Sequence, residues 1–180
     1  MEQLSANKAR VPVLVLTGPV GVGKSTVASE AARLLRGANV SYALVDLPRI
    51  GEAWPPPSDD HWNERLIHRN LACMWSNFRA AGASRLLICR VLECRSLLRH
   101  IADAVPGSSI TVVRLQAPLD LIHERLRARE HPRPADWYVN VATYLFEKMD
   151  QSPVEDYLVD NDNRLPHEVA EEILRRVGWL

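Results

Sequence analysis

The sequence predicts an α/β fold in three layers, a five-stranded parallel sheet with helices on both faces. Three observations carry that prediction. Five short apolar runs, at residues 11–16, 40–45, 86–89, 110–115 and 157–159, have the length of strands, and the first is nearly unbroken Val and Leu. Such runs suit strands buried on both faces of a parallel sheet. The segments between them place apolar residues three and four apart, the period of a helix packed on one side. Strand-like and helix-like segments alternate, which calls for crossover helices joining parallel strands.

The elements follow in order. Residues 1–10 carry no apolar core, so they read as a loose tail and not as a signal peptide. The strand at 11–16 leads into a glycine-rich loop and a helix over 27–35, which ends near Gly37. The strand at 40–45 is closed by Asp46. Four prolines and a tryptophan make 47–60 an irregular loop. Asp59 and Asp60 offer caps for a helix over 61–81, whose apolar stripe is Ile67, Leu71, Met74, Trp75 and Phe78. His61, Arg65 and Arg69 recur on another line of that helix. The strand at 86–89 ends in Arg90, and a helix over 96–105 is closed by Pro106 and Gly107. After the strand at 110–115, Pro118 opens a helix with Leu119, Ile122 and Leu126 inward. Prolines 132 and 134 interrupt the pattern. A helix over 137–149 follows, with Tyr138, Val141, Leu145 and Met149 inward. The strand at 157–159 ends in Asp160, and a helix over 166–177 turns Val169, Ile173 and Val177 to one face.

Composition bounds the function. The 180 residues suit one domain, here 11–180. Basic and acidic residues number 22 each, so nothing argues for nucleic acid or a membrane as a partner. No apolar stretch is long enough to span a bilayer. Cys73, Cys89 and Cys94 are an odd set without framework spacing; two lie in apolar runs and read as buried free thiols, which fits a reducing cytoplasm. A monomer or a homodimer is equally compatible with the chain.

The chemistry starts at Gly18-Pro19-Val20-Gly21-Val22-Gly23-Lys24-Ser25-Thr26, which reads G-x-x-x-x-G-K-[ST] between a strand and a helix. This is the phosphate-binding loop of P-loop proteins. Its glycines let the backbone N–H groups of Gly18, Val20, Gly21, Val22 and Gly23 turn toward phosphate oxygens. The helix that starts there adds its positive dipole end, which Ser25 and Thr26 share. Lys24 supplies a mobile charge, and the Ser25 hydroxyl suits Mg²⁺. Among P-loop classes, a guanine-specific GTPase would carry Asn-Lys-x-Asp where this chain has Asp160-Asn161-Asp162-Asn163. A motor-type ATPase would end its central strand in Asp-Glu, where this chain has Cys89-Arg90-Val91-Leu92-Glu93.

Over 11–180 the sequence resembles the small P-loop kinases: shikimate, gluconate, adenylylsulfate and chloramphenicol kinases and the nucleoside monophosphate kinases. Beside the loop itself, the resemblance rests on three places. Asp46-Leu47-Pro48-Arg49 is similar to the Asp-x-x-Arg of adenylylsulfate kinases, although their second Asp is Leu44 here. Arg125-Leu126-Arg127-Ala128-Arg129, with His131-Pro132-Arg133-Pro134, looks like the lid of these kinases. Asp160 and the loop after it lie where the family holds the adenine base. The resemblance implies a P-loop NTPase fold, ATP and Mg²⁺ as cofactors, and a lid at about 125–136. Arg129 would then act in transfer, with Arg125 and Arg133 on the nucleotide. Asp46 and Arg49 would meet the acceptor.

The residues support this on chemical grounds. Phosphoryl transfer needs charge neutralisation, in-line positioning and a dry site. Lys24 and the arginines can neutralise the transferring group, and Asp46 can accept or orient the proton of a hydroxyl acceptor. Arg69 follows the Pro-rich loop on the acceptor side. Arg90, a charge at the end of a buried strand, calls for an anion or a carboxylate partner. Trp54 and Trp62 flank the loop and can wall an acceptor pocket, while Trp75 reads as core. The expected protein is therefore an ATP- and Mg²⁺-dependent kinase of a small molecule, its acceptor a hydroxyl or a nucleotide phosphate. Arginines favour an anionic acceptor and tryptophans a bulky neutral one. A nucleotide-binding regulatory module with little kinase activity is the rival expectation.

Overall fold

A computed structural model describes residues 10–129 and 132–180 of the protein. The predicted tail, apart from Arg10, and two positions of the predicted lid, Glu130 and His131, lie outside the described residues. The strands are β1 (Val11–Thr17), β2 (Ala43–Asp46), β3 (Leu86–Cys89), β4 (Ser108–Gln116) and β5 (Tyr157–Asp160). They form one all-parallel sheet in the order β2-β3-β1-β4-β5. The helices are α1 (Lys24–Gly37), α2 (Glu64–Ala80), α3 (Leu98–Ala104), α4 (Leu119–Arg127), α5 (Ala135–Gln151) and α6 (Pro166–Arg176).

The alternation of side chains along β1 divides the core. Leu14 and Leu16 face α1, α4 and α6, where they meet Ala28, Ala31, Leu35, Ile122, Val169 and Ile173. Val13 and Val15 face α2 and α3, where they meet Ile67, Leu71, Trp75 and Ile101. A period of two buried on both sides is what a sheet covered by two helical layers requires. Each fully buried Leu or Ile contributes about 1.5–3 kcal/mol relative to exposure.

The sequence expectations are corrected at several places, each for a local reason. Strand β2 begins at Ala43 and not at residue 40. The Val40 N–H closes the end of α1 on the Leu35 carbonyl at 2.9 Å, so it is not free for the sheet. Gly37 is the last residue of α1, and Asn39 takes the left-handed conformation (φ 56°) expected of a residue just past the helix. The predicted irregular loop holds a short 3₁₀ turn, Leu47–Gly51. Helix α2 begins at Glu64, because the Asp60 carboxylate accepts the N–H groups of Glu64 (2.7 Å) and Arg65 (3.0 Å). His61 therefore precedes the helix and does not share a line with Arg65 and Arg69. In α5 the inward stripe is Val139, Ala142, Leu145 and Met149, with Tyr138 and Val141 at its margin. Of the thiols only Cys89 is buried; Cys73 and Cys94 are exposed. Cys73 lies in an apolar run, but its place on α2 turns it away from the Ile67–Leu71–Trp75 stripe.

Parallel pairing brings the carboxyl ends of the strands to one edge. Leu16 and Asp46 are both in register with Cys89, Thr17 with Arg114, and Gln116 with Asp160. Open α/β sheets bind ligands at this edge. Among the described residues no helix is long and apolar enough to cross a membrane.

Candidate active site

The site is built on the loop between β1 and α1. Gly18 (φ 134°) and Gly23 (φ 106°) lie where side chains rarely go, and both positions are also crowded. A Cβ on Gly18 would stand 2.6 Å from the Leu115 carbonyl oxygen, and one on Gly23 would stand 2.5 Å from Asn161 Nδ2. The loop thus needs glycine for conformation and for closeness to its neighbours. Lys24 opens α1 and folds back over the loop, its Nζ donating to the Gly18 and Pro19 carbonyls at 2.9 Å each. Burial lowers the Lys24 pKa to about 8, against the opposing influence of Cys89 and Asp46. The Cys89 thiol is itself pushed up to about 12, by burial first and by Asp46 next, so it stays neutral.

Asp46, at the tip of β2, meets this loop. Ser25 Oγ donates to Asp46 Oδ2 at 2.9 Å, and Arg49 Nε lies 3.7 Å from the same oxygen. A hydroxyl and a carboxylate oxygen side by side at a helix N-terminus are hard donors suited to Mg²⁺, which keeps waters and shares the phosphates of its nucleotide. Among the described residues no group of three His, Cys, Asp or Glu side chains converges to hold a metal unaided. The donor set therefore fits a cation brought by phosphates.

Opposite Asp46 the loop is clamped by a contact that sequence reasoning did not single out. Asn161, buried just past β5, donates its Nδ2 to the Val22 carbonyl at 2.7 Å, and its own N–H to Gln116 O at 2.7 Å. Arg125 donates to the Val22 and Asn161 carbonyls at 3.4 and 3.1 Å. Its guanidinium joins the end of α4 to the loop. Asp160 accepts from the Gln116 side chain, and Arg164 pairs with Glu172 at 2.6 Å while donating to the Asp160 carbonyl. The only sequence signal for Asn161 is its place directly after the Asp that ends a strand.

Arg90 has the partner its burial demands. Its Nη2 lies 2.6 and 2.7 Å from the two carboxylate oxygens of Glu64, the first residue of α2. His68, one turn on, lies 4.0 Å from Glu64 and stacks on His100 with ring centroids 4.7 Å apart. Burial, and next the Arg90 charge, lower the His68 pKa, so His68 is neutral at neutral pH. Arg69 is exposed on α2. Arg133 is exposed and lies over the Trp137 ring, 4.6 Å from its centroid. Neither lines the cavities at the loop.

Two adjoining cavities meet at Gly23, Thr26 and Arg129. One, of about 220 Å³, joins the loop and Lys24 to Asp46, Pro48, Cys89 and Arg90. The other, of about 170 Å³, lies between Arg125, Asn161, Arg164 and Pro166. Two hollows are larger, about 520 Å³ between Pro19 of the loop, Asp150, Asp160 and Asp162, and about 410 Å³ away from the loop beside Arg36 and Phe78. Neither contains Lys24 or Ser25, so size does not mark the site here.

No protein-family model matches the chain, and no curated sequence does. Solved structures do. The tunicamycin resistance protein of Deinococcus radiodurans superposes with a TM-score of 0.67 at 24% identity, over 94% of this chain and 96% of that one. A shikimate kinase of Bacteroides thetaiotaomicron gives 0.62 at 19% identity, over 94% and 99%. A gluconokinase of Sinorhizobium meliloti 1021 gives 0.59 at 19%, over 95% and 94%. The chain thus has the fold of the small P-loop kinases, over about 94% of its length.

Proposed function

We propose that the protein is an ATP- and Mg²⁺-dependent kinase of a small molecule, with a hydroxyl as acceptor. The observation that carries this reading is the Ser25–Asp46 hydrogen bond. It joins a residue of the phosphate loop to a carboxylate on the acceptor side of the same cavity. A nucleotide-binding module has no need of a proton acceptor there; a hydroxyl kinase does. Mg²⁺ bound by Ser25 and Asp46 would supply charge neutralisation for the phosphates. Lys24 and Arg129 hold the transferring group from either side, Lys24 from the loop and Arg129 from the rim shared by both cavities. Asp46 orients the acceptor hydroxyl and takes its proton. Asn161 and Arg125 fix the Val22 carbonyl, so that the loop's N–H groups stay turned inward. The base side of the nucleotide falls to the cavity between Arg125, Arg164 and Pro166. Arg49, 3.7 Å from Asp46, flanks the acceptor, and Arg133 belongs with a lid over 125–136 that closes on the nucleotide.

The experiment is a screen of acceptors for stimulated ADP production, with Lys24→Ala as the inactive control. Tunicamycin, which the name of the Deinococcus protein mentions, and hydroxylated sugars are the first acceptors to try. A rise in ADP with one acceptor class, absent in Lys24→Ala, is the expected result. ADP production that no acceptor changes would favour a module over a kinase.

A further inference from the structure

On the acceptor side of the cavity the charges cancel. Of the two arginines at this sheet edge, Arg90 lines the cavity and Arg49 stands outside its lining, next to Pro48, and each already has a carboxylate. Arg49 Nε lies 3.7 Å from Asp46, and Arg90 touches both oxygens of Glu64. The Arg90 side chain is only 8% exposed, so its pairing acts where water screens little. His68, 4.0 Å from Glu64, does not alter this balance, since burial and the Arg90 charge lower its pKa and leave it neutral at neutral pH. Lys24 and Arg129 remain, but they lie against the phosphate loop, where the magnesium complex of ATP still carries negative charge for them to offset. An anionic acceptor would therefore meet the Asp46 carboxylate and, in Arg90, a guanidinium whose charge Glu64 already offsets.

The Pro-rich loop between Pro48 of the cavity wall and Glu64 carries two bared aromatic side chains. Asn63 Nδ2 donates to the Ala53 carbonyl at 3.0 Å, closing the Pro-rich loop at its base. Trp54 and Trp62 adjoin the two ends of that bond, and their side chains are exposed at 91% and 69%. Indole faces bared on this loop suit the flat apolar faces of sugars and bases.

Building on the kinase reading above, we propose that Glu64 is a specificity-determining residue: by neutralising Arg90 it sets the pocket for an uncharged, hydroxyl-bearing acceptor such as a glycoside or nucleoside, and against carboxylated or phosphorylated ones. Specificity of this kind rests on repulsion as much as attraction, since a carboxylate held beside the acceptor rejects like charge.

The test uses the full chain with its phosphate loop saturated by Mg²⁺ and a non-hydrolysable ATP analogue, and inorganic sulfate as the probe. Sulfate is titrated at constant ionic strength, with thermal stability and heat of binding as readouts. Wild type should show no site for sulfate beyond the ionic-strength control. Glu64→Gln, which frees Arg90, should bind sulfate at least roughly tenfold more tightly, and Glu64→Gln/Arg90→Gln should lose that gain. Sulfate binding by wild type that Arg90→Gln abolishes would overturn the proposal, and so would a folded Glu64→Gln with no gain. Should Glu64→Gln fail to fold, wild type decides through matched acceptors, uridine against its 5′-monophosphate and N-acetylglucosamine against its 6-phosphate. Preference for the uncharged members supports the proposal, and preference for the charged members overturns it. Failure to bind the ATP analogue would instead strike the kinase reading, so the two outcomes are separable.

Discussion

The Ser25 hydroxyl and the Asp46 carboxylate meet at 2.9 Å although 21 positions separate them in the chain. The pairing follows from topology. Strand β3 lies between β1 and β2, and its register puts Asp46 and Leu16 level with Cys89, just below the phosphate loop. Asp46 therefore stands at the strand edge beside the phosphate loop, where the proposed transfer would take place.

Replacing Asp46 with Asn keeps the size and the acceptor oxygen for Ser25 but removes the proton acceptor. Turnover with the best acceptor should fall by about two to four orders of magnitude, with ATP affinity changed far less. Turnover measured beside calorimetric ATP titration checks this. Loss of thermal stability with turnover of the folded fraction preserved would make Asp46 a loop cap and nothing more.

Asn161→Ala removes the buried donor that holds the Val22 carbonyl. Leaving that carbonyl without its partner should cost about 1–3 kcal/mol of stability. Nucleotide affinity should weaken roughly tenfold, because the loop loses its clamp beside Gly23. Thermal unfolding and ATP titration of the same variant report the two effects separately. Unchanged ATP affinity would show that Arg125 suffices to hold the loop.

Lys24 gives the pH dependence of binding. Its pKa in the free protein is lowered to about 8, and phosphates would raise it again. Binding then takes up a proton wherever free Lys24 is neutral and bound Lys24 is charged. ATP affinity should be level below about pH 8 and fall above it, by up to tenfold per pH unit until the bound-state pKa is reached. Calorimetry at about pH 7 and about pH 9, in buffers of different ionisation enthalpy, measures both the affinity and the proton uptake. Affinity that is flat across this range would mean that Lys24 does not meet the phosphates.

The break between α4 and α5 carries the lid prediction. Residues 132–134 lie between the two helices, and Arg129 and Arg133 are exposed there. Few apolar groups anchor this stretch, so it should open at small cost and close on a triphosphate. Hydrogen exchange of residues 127–129 and 132–136 should slow with the non-hydrolysable ATP analogue. Equal exchange in both states would leave Arg129 and Arg133 a solvated face.

How much of this was legible in the sequence depends on range. The phosphate loop was legible because its chemistry lies within nine consecutive residues, and Trp75 was legible because helical spacing alone puts it with Ile67 and Leu71. The apolar runs placed the strands, but not the start of β2, where the Val40 N–H is taken by the end of α1. Arg90 could be read as needing a partner, since a buried charge must have one. That the partner is Glu64 depends on how α2 crosses the sheet edge, which no local pattern encodes. Asn161 escaped for the same reason, its role fixed by a loop 139 positions away.

A kinase of the proposed kind sends the γ-phosphate of ATP to a small molecule and not to water. Incubation with ATP labelled in its γ-phosphate, with and without the acceptor that best stimulates ADP production, tests this most directly. Label in the organic acceptor, Mg²⁺-dependent and absent in Lys24→Ala, is the expected result. Label released only as inorganic phosphate, at one rate with or without any acceptor, would contradict it.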